Sequence, residues 1–197
     1  MAVTAIFGGT FNPFQIGHYE MLKALENDSN VEKIFLMPDR IPPHKACEFL
    51  AEDSIRIEMC RLVAEDFSKA ELCLIEFERE GKSYSYDTIM ELKSRYPQKD
   101  FSFVCGGDML VTFDRWYNYE EIIKEVSVIA FKRSDIDNAL FESSAEMLSK
   151  KGMRLTVKNE IIPSVSSTEI RTDFNKAKEL LPKKIFEFLA ERGVYGE

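Results

Sequence analysis

The residues of this chain that are best suited to chemistry form one stretch, residues 8–18, with the sequence Gly-Gly-Thr-Phe-Asn-Pro-Phe-Gln-Ile-Gly-His. The apolar residues 3–7 before it predict a buried strand, and residues 19–26 after it predict a helix with one apolar face. A glycine-rich turn between a strand and a helix places main-chain N–H groups at the positive end of the helix dipole. The stretch is therefore typical of a site for an anion such as a phosphate.

Two glycines and a histidine carry this prediction. Gly8 and Gly9 let a ligand approach the main chain, and His18, in the first helical turn, can direct an imidazole N–H at the same anion. A glycine turn also follows the first strand of many α/β proteins that have no such site, and a lone histidine at a helix start is often a cap. The prediction therefore depends on the other segments of the chain.

The elements that must position this stretch alternate between strand-like and helix-like patterns. The later predicted strands are residues 34–37, 72–75, 101–104 and 126–130, and the later predicted helices are residues 52–67, 85–96, 119–126, 140–151, 167–177 and 182–192. This alternation predicts a Rossmann-like α/β fold, a doubly wound parallel sheet with helices on both faces. Ligands bind such sheets beyond the carboxyl ends of the strands, where the glycine stretch lies.

The composition indicates which classes of protein to expect. A chain of 197 residues has the size of one domain, so we expect a single domain over residues 1–197, with a helical C-terminal part over about residues 164–197. The net charge of −8 would repel a nucleic-acid backbone. The sequence has no basic, apolar leader and no apolar run near the ~20 residues that span a bilayer. We expect a cytoplasmic protein that binds neither nucleic acid nor membrane.

The cysteines give no sign of a cross-link or of a metal site. Cys47, Cys60, Cys73 and Cys105 are scattered, without a CxxC pair. Zinc sites and disulfide frameworks show closer or more regular spacing. The pattern predicts free thiols and no protein-bound metal.

Three further segments contain residues that could contact a ligand. Residues 37–53 form a long connection in which Pro42 and Pro43 precede His44 and Lys45. This pattern predicts a rigid loop that holds cationic hydrogen-bond donors or, alternatively, an exposed polyproline turn. Residues 162–171 place hydroxyl groups at a helix start with an arginine after them. This second pattern fits either a second anion site or simple helix capping by Ser166 or Ser167.

The third segment follows the strand at residues 101–104. Gly106 and Gly107 permit close approach, and Asp108 could accept hydrogen bonds from ribose hydroxyls or act as a turn residue. Trp116 and Tyr117 come next and would either enter the core or stack on a planar ring.

Five segments between Phe7 and Arg171 together resemble the nicotinate mononucleotide adenylyltransferases of bacterial NAD synthesis, in the nucleotidylyltransferase superfamily. Residues 8–18 are similar to the superfamily's glycine-rich loop ending in [H/T]xGH, and residues 165–171 to its ISSTxIR pattern. The PPHK segment at residues 42–45, the SYxxDT segment at residues 83–88 and GxD with a following WY at residues 106–117 resemble the segments typical of the nicotinate-specific members.

The resemblance implies that AMP passes from ATP to nicotinate mononucleotide, which gives nicotinate adenine dinucleotide and pyrophosphate. It implies His18 and Arg171 as catalytic residues and Mg²⁺ bound through the ATP phosphates. The residues that it places at ATP are Gly8, Gly9, Thr10, Phe11, Gln15, His18, Gly106, Asp108, Ser167, Thr168 and Arg171. Those that it places at nicotinate mononucleotide are Asn12, His44, Lys45, Ser85, Trp116 and Tyr117.

Two residues depart from the family pattern, because Asn12 replaces the common aspartate and Gln15 the first histidine of HxGH. Glutamine keeps an N–H donor for a phosphate oxygen but loses a positive charge. The alternatives are an enzyme for another phosphate acceptor, such as nicotinamide mononucleotide, and a nucleotide-binding paralogue without activity. A homo-oligomer is compatible with the apolar C-terminal helix.

Overall fold

The computed structural model describes residues 2–41 and 49–195 and contains a six-stranded parallel sheet in the order β3-β2-β1-β4-β5-β6. The strands are β1 (Val3–Gly9), β2 (Val31–Pro38), β3 (Ala70–Leu72), β4 (Phe101–Gly106), β5 (Ser127–Arg133) and β6 (Leu155–Ile162). The helices are α1 (Ile16–Asn27), α2 (Asp53–Ala64), α3 (Ser85–Arg95), α4 (Gly107–Val111), α5 (Tyr119–Glu125), α6 (Asn138–Lys150), α7 (Ser167–Thr172) and α8 (Lys183–Arg192). Short 3-10 helices cover Ile75–Glu78, Phe113–Arg115 and Phe174–Glu179.

The strand order reverses between β1 and β4, which confirms the predicted doubly wound fold. Ile6 of β1 pairs with Phe103 of β4, so the two strands end side by side at Gly9 and Gly106. The connections that leave the two strands diverge at this point, and such a crevice is where doubly wound sheets bind ligands. The fold thus places the predicted glycine stretch at its expected edge.

Two buried clusters cover the faces of the sheet. One cluster joins the sheet to α1, α2, α7 and α8 through residues such as Leu22, Met59 and Leu189. The other joins it to α3, α4, α5 and α6 through residues such as Leu92, Leu110 and Phe141. Within the described ranges, no helix combines the length and the apolar character needed to cross a membrane.

The structure corrects several predicted boundaries. Strand β6 was not predicted, because it lies at the sheet edge with most of its side chains half or fully exposed, and its polar residues hide the apolar pattern. The helix predicted over residues 167–177 ends at Thr172, whose hydroxyl donates to the carbonyls of Thr168 and Glu169. Hydroxyl groups that bond to the preceding turn weaken a helix, and a 3-10 helix follows.

Candidate active site

The predicted site residues on described elements come together at the carboxyl edge of the sheet. The glycine stretch follows β1, Asp108 follows β4, and Arg171 lies in α7 after β6. Arg40 and Arg133, at the ends of β2 and β5, add cations there although the whole chain is acidic. His44 and Lys45 lie outside the described residues, so their predicted role stays a prediction.

The imidazole of His18 is held among the phenylalanines of the glycine stretch. Its ring centroid lies 5.1 Å from that of Phe11 and 5.3 Å from that of Phe14, both in edge-on geometry, and 6.4 Å from that of Phe7. Phe11 is 2% exposed and has φ of 47°, a left-handed backbone that a bulky residue rarely adopts. Such backbone strain is typical of functional loops, and here it places the Phe11 ring against the histidine.

Gln15 and His18 cap the start of α1. The side-chain oxygen of Gln15 accepts from the N–H of Gly17, and Nδ1 of His18 accepts from the N–H of Gln15 at 3.1 Å. This capping box begins the helix at Ile16, three residues before the predicted start. Because Nδ1 accepts a hydrogen bond, the neutral imidazole has its proton on Nε2. Its Nε2–H is the donor that the sequence predicts for an anion.

Gly17 is required by the close approach of α1 to the end of β6. A Cβ at this position would lie 3.0 Å from the carbonyl oxygen of Pro163 and 3.2 Å from the side chain of Ile162. Only glycine therefore lets the start of α1 and the segment before α7 meet.

The side chain of Asn12 is 4% exposed and both ends of its amide are hydrogen-bonded within the protein. Its Nδ2 donates to the carbonyl of Phe49 at 2.8 Å, while its Oδ1 accepts from the N–H of Ala51 and from the hydroxyl of Tyr195. An aspartate could not donate to Phe49 in its ionised form. Asparagine in place of the family's aspartate thus provides the N–H that bonds Phe49. The predicted contact of Asn12 with nicotinate mononucleotide stays a prediction.

The sequence analysis did not predict a role for Arg56, although its side chain connects the glycine stretch to the end of β2 and the start of α2. Its guanidinium is fully buried and donates to the carbonyls of Thr10, Asp39, Arg40 and Ala51 and to the carboxylates of Asp39 and Asp53. Thr10 in turn donates from its hydroxyl to Asp39 at 2.9 Å. A single arginine in an amphipathic helix gives no sequence signal of burial, because arginine is nearly always exposed. We call residues 8–18, Arg56 and Arg171 the glycine-loop end.

Arg171 points from α7 to the glycine stretch. Its Nη1 donates to the carbonyl of Asn12 at 2.8 Å, and its Nη2 donates to the hydroxyl of Thr168 at 3.1 Å. Ser166 is the N-cap of α7 and accepts from the N–H of Glu169, so Ser167 is the first helical residue. Of the two capping residues that the sequence allowed, the structure selects Ser166. Ser167 and Thr168 stay predicted ATP contacts.

Gly106 and Asp108 form the start of α4. A Cβ at Gly106 would lie 2.8 Å from the Asp108 carboxylate, so the glycine leaves room for this carboxylate at the helix start. The Asp108 side chain is 58% exposed and lies 3.5 Å from the Arg133 guanidinium, which also donates to the hydroxyl of Ser164. The carboxylate therefore faces solvent at the strand edge, where a polar ligand can reach it.

The aromatic end comprises Tyr84, Ser85, Tyr86, Trp116 and Tyr117. The Tyr117 ring lies 4.9 Å from that of Tyr84 and 6.0 Å from that of Tyr86, so the start of α3 meets the segment before α5. The Trp116 indole stacks on Phe113 at 4.8 Å and stands edge-on to Phe103. Trp116 and Ser85 are half-buried and Tyr117 is 51% exposed. Tyr117 therefore packs with the tyrosines beside Ser85, whereas the neighbouring Trp116 packs on the buried Phe103 and Phe113.

A buried polar group lies behind the aromatic end. Glu76 is 8% exposed, and it accepts from the hydroxyls of Thr88 and Ser83. Burial raises the pKa of the Glu76 carboxyl above its ordinary value. Ser83 also accepts from the N–H of Arg40, which links this network to the end of β2.

Comparisons with known proteins agree with this geometry. A family model described as cytidylyltransferase-like matches residues 6–173. A probable nicotinate-nucleotide adenylyltransferase from Listeria welshimeri is 35% identical over 98% of this chain and 96% of its own. The nicotinate-nucleotide adenylyltransferase of Bacillus subtilis is 34% identical over 99% of each chain.

Solved structures share the fold over nearly the whole chain. The nicotinic acid mononucleotide adenylyltransferase of Plasmodium falciparum, complexed with APC, gives a TM-score of 0.79 at 23% identity, covering 99% of this chain and 98% of its own. The same protein complexed with NaAD gives a TM-score of 0.79 at 22% identity. At this identity, the likeness shows a common fold.

Proposed function

This chain belongs to the nicotinate-nucleotide adenylyltransferases of the cytidylyltransferase-like family, and we propose that it transfers AMP from ATP to nicotinate mononucleotide at the carboxyl edge of its sheet. The observation that carries the proposal is the capped His18, whose Nε2–H is set by the hydrogen bond from Gln15 to Nδ1. A fixed neutral donor at a helix start suits a phosphate chain.

The chemistry needs no covalent enzyme intermediate. A phosphate oxygen of nicotinate mononucleotide forms a bond to the α-phosphorus of ATP, and the bond from that phosphorus to the bridging oxygen breaks to release pyrophosphate. The acceptor is already an oxyanion, so the protein mainly aligns the reactants and stabilises charge on the leaving group. We assign the stabilisation of that charge to His18 and Arg171. The residues that we assign to the other phosphate contacts are Gly8, Gly9, Gln15, Ser167 and Thr168.

The aromatic end supports a planar acceptor ring. Trp116 and Tyr117 offer ring faces, and Ser85 lies at the N-terminus of α3, where main-chain N–H groups can receive the nicotinate carboxylate. Asp108, exposed at the start of α4, is assigned to the ribose of the nucleotide.

We propose that Mg²⁺ enters with the ATP phosphates. Within residues 2–41 and 49–195, no group of three or more His, Cys, Asp or Glu side chains is placed to hold a metal ion, so the ligands would be phosphate oxygens and water. The ion would offset phosphate charge when bound.

The free thiols of Cys60, Cys73 and Cys105 suit a reducing compartment, in keeping with the proposed cytoplasmic location.

The test is pyrophosphate release from ATP and Mg²⁺ with nicotinate mononucleotide, measured beside nicotinamide mononucleotide, with the dinucleotide identified by mass. We expect release with the acid and at least tenfold lower kcat/KM with the amide. Equal rates would reassign the acceptor. ATP binding by calorimetry without release with either compound would instead identify a nucleotide-binding paralogue and overturn the proposal.

A further inference from the structure

The C-terminal Tyr195 reaches the glycine stretch with its hydroxyl, and we propose that it is a positioning residue for the ATP phosphates, acting through Asn12. The inference rests on the proposed function. It concerns a residue 183 positions away along the chain from the side chain that it bonds.

The end of α8 directs Tyr195 inward. The helix stops at Arg192, and Gly193, with φ of 59°, turns the chain in a left-handed conformation that favours glycine. Tyr195 follows two residues later, is 4% exposed, and donates from its hydroxyl to Oδ1 of Asn12 at 2.6 Å. A phenol is thus buried under the predicted phosphate site.

The hydrogen bonds around Asn12 fix the orientation of its amide. Its Nδ2 donates to the carbonyl of Phe49, and its Oδ1 accepts from the N–H of Ala51 at 3.2 Å. A reversed amide would set a donor against the N–H of Ala51 and an acceptor against the Phe49 carbonyl. The Tyr195 hydroxyl is therefore one of two donors that hold this oxygen in place.

The main chain of Asn12 in turn holds Arg171. The main-chain carbonyl of Asn12 accepts from Nη1 of Arg171 at 2.8 Å. The position of the Asn12 peptide therefore determines where this nitrogen of the guanidinium lies. The Tyr195 ring also lies 6.1 Å from that of Phe174, just after α7, and 5.8 Å from that of Phe49. One side chain thus joins the glycine stretch, α7 and the segment before α2.

The hydroxyl group is what distinguishes this arrangement from ordinary packing. A phenylalanine would fill the same apolar space, whereas a buried hydroxyl costs free energy unless it is hydrogen-bonded. Burial also raises the pKa of Tyr195 well above its ordinary value, so the phenol stays protonated and donates throughout the physiological pH range.

The test compares two tyrosine-to-phenylalanine variants of the full chain. Tyr195→Phe removes the donor to Asn12, and we expect kcat/KM for ATP and the calorimetric affinity for ATP to fall about fivefold. Tyr119→Phe is the matched control, because the Tyr119 hydroxyl bonds Lys151 at the far end of α6. A purely structural role would lower the melting temperature of Tyr195→Phe without changing either ATP parameter, and that result would overturn the inference.

A double variant checks that Tyr195 acts through Asn12. In an Asn12→Ala background, Tyr195→Phe should cause no further loss for ATP, because the acceptor is gone. A full additional fivefold loss would refute the coupling. If Asn12→Ala does not fold, the two single tyrosine variants decide the question. A native chain that binds ATP but releases no pyrophosphate contradicts the proposed function alone, since the affinity measurement still tests Tyr195.

Discussion

The two ends of the candidate site are built by different means. At the glycine-loop end, buried polar side chains such as Asn12, Gln15 and Arg56 hold the backbone through hydrogen bonds. At the aromatic end, Trp116 and Tyr117 are held by ring contacts, and Trp116 is half-buried whereas Tyr117 is 51% exposed. One end is therefore ordered before a ligand arrives, whereas the other can adjust its rings around one.

The difference matches the demands of the proposed reaction. Charge that develops on phosphate oxygens is best stabilised by donors that need no reorganisation. A planar ring is recognised through surface contact, which tolerates small shifts of side chains. Substitutions at the glycine-loop end should therefore change stability or turnover, and those at the aromatic end should change acceptor binding.

Arg56 should show the largest effect on stability. Arg56→Met leaves the Asp39 carboxylate and several carbonyls without their buried donor, and removing one partner of such a network costs about 3–5 kcal/mol. Urea unfolding at neutral pH measures this loss. Arg95→Met is the control, because Arg95 makes two ion pairs on the surface, where such pairs contribute little to stability. Similar losses in the two variants would contradict the view that the glycine-loop end is held by buried bonds.

His18 should show the largest effect on turnover. His18→Asn can keep an acceptor for the N–H of Gln15 but lacks the distal N–H, and His18→Ala loses both. Removal of one fixed donor to a developing oxyanion lowers kcat about 10²–10³-fold. Pyrophosphate release should fall to this extent in both variants, with the melting temperature of His18→Asn close to that of the native chain. Native turnover in His18→Asn would assign the histidine to capping alone.

The sequence predicted which residues the fold brings to one edge at the glycine-loop end, but it did not predict the residues that support them. Gly8, Gly9, His18 and Arg171 stood in recognisable patterns, and the alternation of elements placed them on one edge. The residues that hold them, Arg56 and Tyr195, occur in no local pattern. Thr10, the partner of Arg56 in the glycine stretch, lies 46 positions away, and Asn12 lies 183 positions from Tyr195, so only the folded chain brings these pairs together.

The predicted elements were wrong where the local pattern of apolar residues does not match the burial of the segment in the fold. Strand β6 reads as polar because it lies at an edge, and the break after Thr172 depends on hydroxyl groups that bond to the preceding turn. The family resemblance predicted Ser85, Trp116 and Tyr117 of the aromatic end. It did not predict Tyr84 and Tyr86, which contact Tyr117. Contacts between rings follow from packing rather than from spacing.

Trp116 should separate acceptor binding from turnover. Trp116→Phe keeps an aromatic ring on Phe113 but reduces the ring face, so KM for nicotinate mononucleotide should rise about 2–10-fold while KM for ATP stays constant. The chain has a single tryptophan, so we expect its fluorescence to change when the acceptor binds to the native protein. An equal rise in both KM values would show that the aromatic end also orders the glycine-loop end.

Glu76 should give the smallest effect, and it tests whether the aromatic end has a polar support of its own. Its folded-state pKa lies above the unfolded value because burial penalises the carboxylate, so its stabilising contribution is present below the unfolded pKa and is lost as the pH rises through the folded one. Glu76→Gln removes this dependence and can still accept from Thr88. Relative to the native chain, the variant should gain stability as the pH rises from the unfolded pKa of glutamate through the raised folded one.

Glu78→Gln provides a control of opposite sign for this measurement. The hydrogen bond from Arg95 lowers the pKa of the exposed Glu78, so this group stabilises the fold above the unfolded pKa and its replacement should lose stability relative to the native chain as the pH rises. Urea unfolding at several pH values gives both trends. If the Glu76→Gln trend instead follows that of Glu78→Gln, the Glu76 carboxylate is favoured in the fold, and the aromatic end has a charged support like that of the glycine-loop end.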